Sequence, residues 1–203
     1  AGARLRAGAL SHFAGLHVLA DDDPRWPNGV LAQGRAACAG GARVLQLRAK
    51  RAGDARALAW GRELRALTRA AGVLLFVNDR VDLALAVGAD GVHLGQDDLA
   101  PEDARRIAPG LAIGRSTHDA EQLARALQEP IDYAAYGPLF GTQSKASGVG
   151  ARGLAALREV ASHCEAVPLV AIGGIDAAGA REARAAGADG IALGHRQLNH
   201  PSR

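Results

Sequence analysis

The sequence predicts an α/β protein, a single (β/α)₈ barrel of the TIM type, and three observations predict it. Short β-rich runs alternate with alanine-rich amphipathic stretches from end to end. There are eight such runs, the number at which consecutive strand–helix units close on themselves. A helix-to-strand junction is also nearly repeated: Ala86-Val87-Gly88-Ala89-Asp90-Gly91-Val92-His93-Leu94-Gly95 returns as Ala185-Ala186-Gly187-Ala188-Asp189-Gly190-Ile191-Ala192-Leu193-Gly194, and Ala39-Gly40-Gly41-Ala42-Arg43-Val44 is a looser copy. Each reads as a helix ending at a C′ glycine, a tight turn and a strand. An open doubly wound sheet is the rival, but its first strand should lead into a glycine-rich phosphate fingerprint. Ala20-Asp21-Asp22-Asp23-Pro24 is not one.

In chain order, strands are expected at 16–20, 44–48, 74–78, 91–94, 112–116, 133–136, 169–172 and 190–193. Helices are expected at 30–39, 54–70, 81–87, 101–107, 120–127, 152–163 and 177–186. In the second helix Trp60, Leu64 and Leu67 recur on one face. Leu74-Leu75-Phe76-Val77 and Leu169-Val170-Ala171-Ile172 are continuously apolar, as a parallel sheet covered on both faces requires. Residues 1–15 precede the first strand and are expected to pack as an extension across the bottom of the barrel. Residues 195–203 are an irregular tail, too short for a full final helix, and are the one conflict with a regular barrel.

At 203 residues the chain is one domain, 1–203, able to bury a full core. Its 22% charged and 48% hydrophobic residues fit a soluble globular protein. No apolar stretch approaches the roughly 20 residues of a membrane span, and no secretory leader opens the chain, so no membrane partner is expected. Cys38 and Cys164 lack metal-type spacing and read as reduced thiols of a cytoplasmic protein. A net charge of +3 spread over many arginines, with 3% aromatics, argues against a nucleic-acid surface.

Only two lysines, Lys50 and Lys145, stand against twenty-two arginines. A lysine retained under that bias points to a task for a compact ammonium, such as reaching a phosphate in a tight pocket. Barrel active sites lie at the C-terminal ends of the strands. There the sequence places Gln46, Arg48 and Lys50 after strand two, Asn78 and Asp79 after strand three, and Asp97 and Asp98 after strand four. Ser116, Thr117 and His118 follow strand five, Thr142, Ser144 and Lys145 follow strand six, and Gly173-Gly174 follow strand seven. Arg48, Lys50 and Lys145 suit several phosphate oxygens. Asp79 and Asp98 suit Mg²⁺, a hard ion that shares substrate phosphates. Gly174 and the loop after strand eight can offer amides to a second phosphate. Blander roles remain open: Asp79 as the N-cap of the helix near Val81, Asp97 and Asp98 as an acidic approach to Pro101, Ser116 or Thr117 as the cap of the next helix, His118 as a rim residue.

Gln46-Leu47-Arg48-Ala49-Lys50, Asn78-Asp79-Arg80-Val81-Asp82-Leu83-Ala84, Gly91-Val92-His93-Leu94-Gly95-Gln96-Asp97-Asp98 and Ala171-Ile172-Gly173-Gly174-Ile175 resemble, in order and spacing, the motifs of thiamine phosphate synthases. The resemblance runs from about residue 16 to 194. It implies a transferase that joins 4-amino-2-methyl-5-(diphosphooxymethyl)pyrimidine to a thiazole phosphate with Mg²⁺ and releases pyrophosphate. It assigns Gln46, Arg48 and Lys50 to the pyrimidine–pyrophosphate site, completed by Asn78, Ser116 and Lys145, with Arg48, Lys50 and Lys145 as the catalytic cations. Asp79 and Asp98 become metal ligands, and Thr142, Ser144, Gly174, Gly194 and His195 hold the thiazole phosphate.

The chain departs from the family pattern in three places. Ser144 stands where a second threonine is common, Gly141 where proline is common, and Gly194-His195-Arg196 where a small hydroxyl residue and a final helix are usual. This last departure carries the expectation that the thiazole phosphate binds more weakly than the pyrimidine. The alternatives are a thiazole tautomerase with His118 as proton carrier and a non-catalytic binder of thiamine precursors. The expected partners are small-molecule substrates, and association into a homo-oligomer is compatible with the sequence.

Overall fold

The computed structural model describes residues 12–141 and 150–194. Eight parallel strands follow one another around a closed barrel: β1 (Gly15–Asp21), β2 (Val44–Arg48), β3 (Leu74–Asn78), β4 (Gly91–Leu94), β5 (Ala112–Thr117), β6 (Tyr133–Tyr136), β7 (Leu169–Ile172) and β8 (Gly190–Leu193). β8 returns to β1, with Gly15 opposite Gly190 and Val18 opposite Leu193, so no strand edge is left open. Among the described residues, seven helices alternate with the strands: α1 (Val30–Ala39), α2 (Asp54–Ala71), α3 (Val81–Val87), α4 (Pro101–Ile107), α5 (Ala120–Ala126), α6 (Gly153–Ala161) and α7 (Ala177–Ala185). This is the single-domain barrel that the alternation predicts. The tail at 195–203, and with it the expectation that it is too short for a full final helix, lies outside the described residues. None of the described helices is long and apolar enough to cross a membrane.

Two boundaries move for a physical reason. β1 runs one residue further than its apolar pattern suggests, because Asp21 is in register with Arg48 and ion-paired to it. β5 reaches Thr117, which is in register with Tyr136 and buried, its hydroxyl donating to the Ala135 carbonyl at 2.9 Å. In α2 the buried face is Ala57, Gly61, Leu64 and Thr68, with Trp60 and Leu67 only partly covered. The small residues let the helix lie close to its neighbours, which moves the contact stripe away from the larger side chains.

Strand side chains alternate between two cores. Leu45, Leu47, Leu75 and Val77 face the helices and are fully buried there. Val44, Phe76, Tyr133, Ala135, Val170 and Ala192 fill the barrel interior. Tyr133 occupies the space that a side chain on β5 would need. A Cβ on Gly114 would stand 2.2 Å from its ring, so that strand carries glycine. Phe13 closes the N-terminal end, its ring edge-on to Phe76 at 6.0 Å and 5.3 Å from Tyr133.

The repeated Ala-Asp-Gly junction turns out to be a clip. The Asp90 carboxylate, just before β4, accepts the Leu75 N–H of β3 at 2.7 Å. Asp189, before β8, accepts Leu169 N–H of β7 at 2.9 Å, and Asp132, before β6, accepts Ile113 N–H of β5 at 2.7 Å. Each ties the start of one strand to the entry of the next. All three sit at the N-terminal face, which in such barrels serves stability.

Candidate active site

A cavity of about 480 Å³ opens at the C-terminal ends of the strands. Alternation along each strand aims every second residue into it. β1 contributes His17, Leu19 and Asp21, and β2 contributes Gln46 and Arg48, with Lys50 just beyond. β3 brings Asn78 and then Asp79, β4 brings His93 and then Gly95 to Asp98, and β5 brings Ser116. Across the barrel lie Tyr133 and Ala135 of β6, Ile172 with Gly173 and Gly174 after β7, and Ala192 with Gly194 at the end of β8. The structure therefore brings Gln46, Arg48, Lys50, Asn78, Asp79, Asp98, Ser116, Gly174 and Gly194 to one cavity. Thr142, Ser144, Lys145 and His195 lie outside the described residues.

The polar groups are held by their neighbours. Asp22 accepts the backbone N–H groups of Lys50, Arg51 and Ala52 at 3.0, 2.9 and 2.7 Å, which fixes the turn that presents Lys50. Arg48 pairs with Asp21 at 2.6 Å, both side chains being largely buried. Lys50 pairs with Asp79. Asp79 has φ +63°, a left-handed conformation that Asp tolerates better than most residues, and its N–H donates to the His93 carbonyl at 2.8 Å. Burial and the neighbouring Asp98 carboxylate push the Asp79 carboxyl above its ordinary range, against the pull of Lys50. Asp98 is anchored through Oδ2, which accepts Gly95 N–H at 2.6 Å. Two carboxylates thus converge beside a lysine.

The helix-cap alternatives for Asp79, Ser116 and Thr117 fall away, while His118 keeps its blander role. The N-cap of α3 is Arg80, not Asp79, and α4 opens at Pro101 with Ala100 as its N-cap. Ser116 and Thr117 belong to β5, and Asp119 caps α5 by accepting Gln122 N–H at 2.8 Å. His118 holds its Nδ1 2.6 Å from the Gly137 carbonyl and is not among the described residues lining the cavity.

Four lining residues carry interactions that their sequence context did not assign: His17, Asp21, His93 and Tyr133. The period of two in His17-Val18-Leu19-Ala20-Asp21 was the available signal for the first two. His17 is buried in the barrel interior, where its Nε2–H donates to the Phe13 carbonyl at 2.8 Å and burial lowers its pKa to about 4. The folded state therefore keeps His17 neutral where the unfolded chain takes up a proton. Stability from this group is fully present above about pH 6.5, falls as the pH drops toward 4, and is level below that. The total change is about 3 kcal/mol. Urea unfolding of wild type and His17→Gln at pH 7 and pH 4.5 measures it: the variant should show the shallower fall, and equal falls would refute the burial argument.

A closed barrel whose mouth collects cations, paired carboxylates and glycine amides defines a (β/α)₈-barrel enzyme of small-molecule chemistry. Sequence comparison makes the family specific. A family model described as thiamine monophosphate synthase matches residues 16–196, and the chain belongs to that transferase family. The thiamine-phosphate synthase of Thermus thermophilus is 44% identical over 187 residues, covering 92% of this chain and 90% of that one. The Chloroflexus aurantiacus thiamine-phosphate synthase is 47% identical over 158 residues, 78% of this chain and 73% of that one. Among solved structures, thiamine phosphate pyrophosphorylase from Pyrococcus furiosus superposes with a TM-score of 0.84 at 37% identity, covering 94% of this chain and 90% of that one. An N-acetylmannosamine-6-phosphate 2-epimerase from Clostridium perfringens shares the fold alone, with a TM-score of 0.70 at 15% identity.

Proposed function

We propose that this chain joins 4-amino-2-methyl-5-(diphosphooxymethyl)pyrimidine to a thiazole phosphate, forming thiamine phosphate and releasing pyrophosphate. The observation that carries this reading is Lys50 and Arg48 sharing one mouth with the Asp79–Asp98 pair. In the proposed reaction the bond between the pyrimidine methylene carbon and the pyrophosphate oxygen breaks, and its electron pair leaves with pyrophosphate. The methylene cation left behind is stabilised by the pyrimidine ring, and the thiazole nitrogen closes the new C–N bond with its lone pair. No proton has to move. The protein's contribution is then charge neutralisation and alignment.

Gln46, Arg48 and Lys50 are assigned to the pyrimidine–pyrophosphate site, which Asn78, Ser116 and Lys145 complete, with Arg48, Lys50 and Lys145 as its cations. Thr142, Ser144, Gly174, Gly194 and His195 are assigned to the thiazole phosphate. Asp79 and Asp98 are the residues that would hold Mg²⁺. They fit the ion: their oxygens are hard donors, they face each other, and the raised Asp79 carboxyl marks a site where added positive charge is favourable. Among the described residues no cluster of three or more His, Cys, Asp or Glu converges, and a pair is what Mg²⁺ takes when phosphates complete its shell. When bound, the ion supplies charge neutralisation on the leaving pyrophosphate. The cysteines Cys38 and Cys164 are unpaired, which supports a reducing, cytoplasmic setting.

Incubation with both substrates and Mg²⁺ tests the reading, with thiamine phosphate and pyrophosphate as the measured products. Aromatisation of the thiazole phosphate without the pyrimidine would favour the tautomerase, and tight binding without turnover would favour a precursor-binding protein. Lys50→Arg keeps the charge but replaces a point donor with a planar fork beside Asp79, and should lower kcat/KM about tenfold or more. Wild-type kinetics in that variant would show that any cation serves at position 50.

A further inference from the structure

Three side chains from adjacent strands form a hydrogen-bonded line through the barrel interior. The Tyr133 hydroxyl of β6 lies 2.8 Å from His93 Nδ1 of β4, and His93 Nε2 lies 2.8 Å from Ser116 Oγ of β5. The imidazole stacks on the phenol ring, with centroids 5.5 Å apart and planes 28° from parallel. Tyr133 packs among Phe13, Phe76 and Val170, and all three side chains border the cavity, with Ser116 nearest its mouth at the C-terminal end of β5. Gln96 holds the Ser116 backbone from the other side, its Nε2 donating to the Ser116 carbonyl at 2.6 Å.

We propose that Tyr133 and His93 are positioning residues that fix the polarity of the Ser116 hydroxyl, making it a permanent donor toward a phosphate oxygen of the leaving pyrophosphate. This rests on the reading of the site as a pyrophosphate-releasing transferase. The argument runs upward from the buried end. Tyr133 is 1% exposed, and burial keeps its hydroxyl protonated far above the ordinary phenol range. Among the described residues His93 is the hydrogen-bond partner of that hydroxyl, so its proton is satisfied only on Nδ1. An accepting Nδ1 places the ring proton on Nε2, which must then donate to Ser116 Oγ. With its oxygen receiving that bond, the serine turns its own proton to the remaining side, the cavity. The opposite tautomer would leave the phenol proton without an acceptor among the described residues, which is unfavourable for a buried donor. A free serine hydroxyl can donate or accept. One set in advance as a donor needs no reorientation as negative charge grows on the departing oxygen.

Neither His93 nor Tyr133 need touch the substrate, so their effect should pass through Ser116. Ser116→Ala should lower kcat about 100-fold, and Tyr133→Phe about tenfold with KM changed less than about twofold, because the lost interaction strengthens only in the transition state. The double variant Tyr133→Phe/Ser116→Ala should be within about twofold of Ser116→Ala alone, the non-additivity of residues acting as a unit. Multiplying losses would overturn the proposal. A second measurement needs no substitution: two-bond ¹H–¹⁵N correlation spectra of the wild-type chain should show His93 as the Nε2–H tautomer. An Nδ1–H tautomer or a cationic ring would overturn the proposal even if Tyr133→Phe fails to fold. Should the wild type form no thiamine phosphate, the functional reading fails by itself, while the tautomer still decides whether the line of polarity exists.

Discussion

Asp79→Asn is expected to lower kcat/KM by about 10²–10³-fold, the scale on which one preorganised electrostatic contact acts in a transition state. The substitution isolates charge from shape. Asp79 sits at φ +63°, a region that Asn enters as readily as Asp, so the turn after β3 keeps its path and its N–H bond to the His93 carbonyl. What disappears is one of two facing carboxylates and the partner of Lys50. Asp98→Asn should act alike, since an amide oxygen can still accept the Gly95 N–H that anchors residue 98. Raised Mg²⁺ should restore part of the rate in both variants, and thermal unfolding midpoints should stay near wild type. Asp97 is exposed and should be far less sensitive to truncation. An indispensable Asp97 with a dispensable Asp98 would move the metal site by one residue.

Gly174→Ala is expected to destabilise the fold by about 2–4 kcal/mol, combining the left-handed penalty for a side chain with overpacking. Gly174 has φ +67°, and an added Cβ would stand 2.6 Å from the Gly141 carbonyl oxygen and 2.9 Å from the Phe140 backbone. Backbone atoms cannot rotate aside as a flexible side chain can, so the loop after β7 must shift. On the proposed reading the same shift moves amides away from the thiazole phosphate, so KM for that substrate should rise more than KM for the pyrimidine. Urea unfolding and steady-state kinetics read the two effects separately. A variant of wild-type stability would show that the loops after β6 and β7 yield more easily than their contact implies.

Much of the site was legible because it follows from a period of two. Once β2 was placed, Gln46, Arg48 and Lys50 had to share a side, and the apolar runs of β3 and β7 announced a sheet buried on both faces. The scarcity of lysine pointed to Lys50, which the structure places at the cavity in an ion pair with Asp79. Other features were present in the sequence but ambiguous. The Ala-Asp-Gly repeat read as turn chemistry, and its aspartates proved to tie neighbouring strands at the face away from the cavity. Asp79 and Ser116 each fitted a helix cap, and only the path of the chain past α3 and α5 assigned those caps to Arg80 and Asp119.

The sequence by itself determined the order and kind of the elements, because strand and helix periods and C′ glycines are local properties. It also determined which residues reach the C-terminal ends of the strands. Only the tertiary structure decided what those residues meet. The bond between Tyr133 and His93 spans 40 positions and that between His93 and Ser116 spans 23, and both exist because closing the barrel turns distant strands toward one axis. The left-handed turn at Asp79, the pairing of Arg48 with Asp21 and the glycine that makes room for Tyr133 arise in the same way. Each is set by where a neighbouring strand lies, and no local pattern records that position.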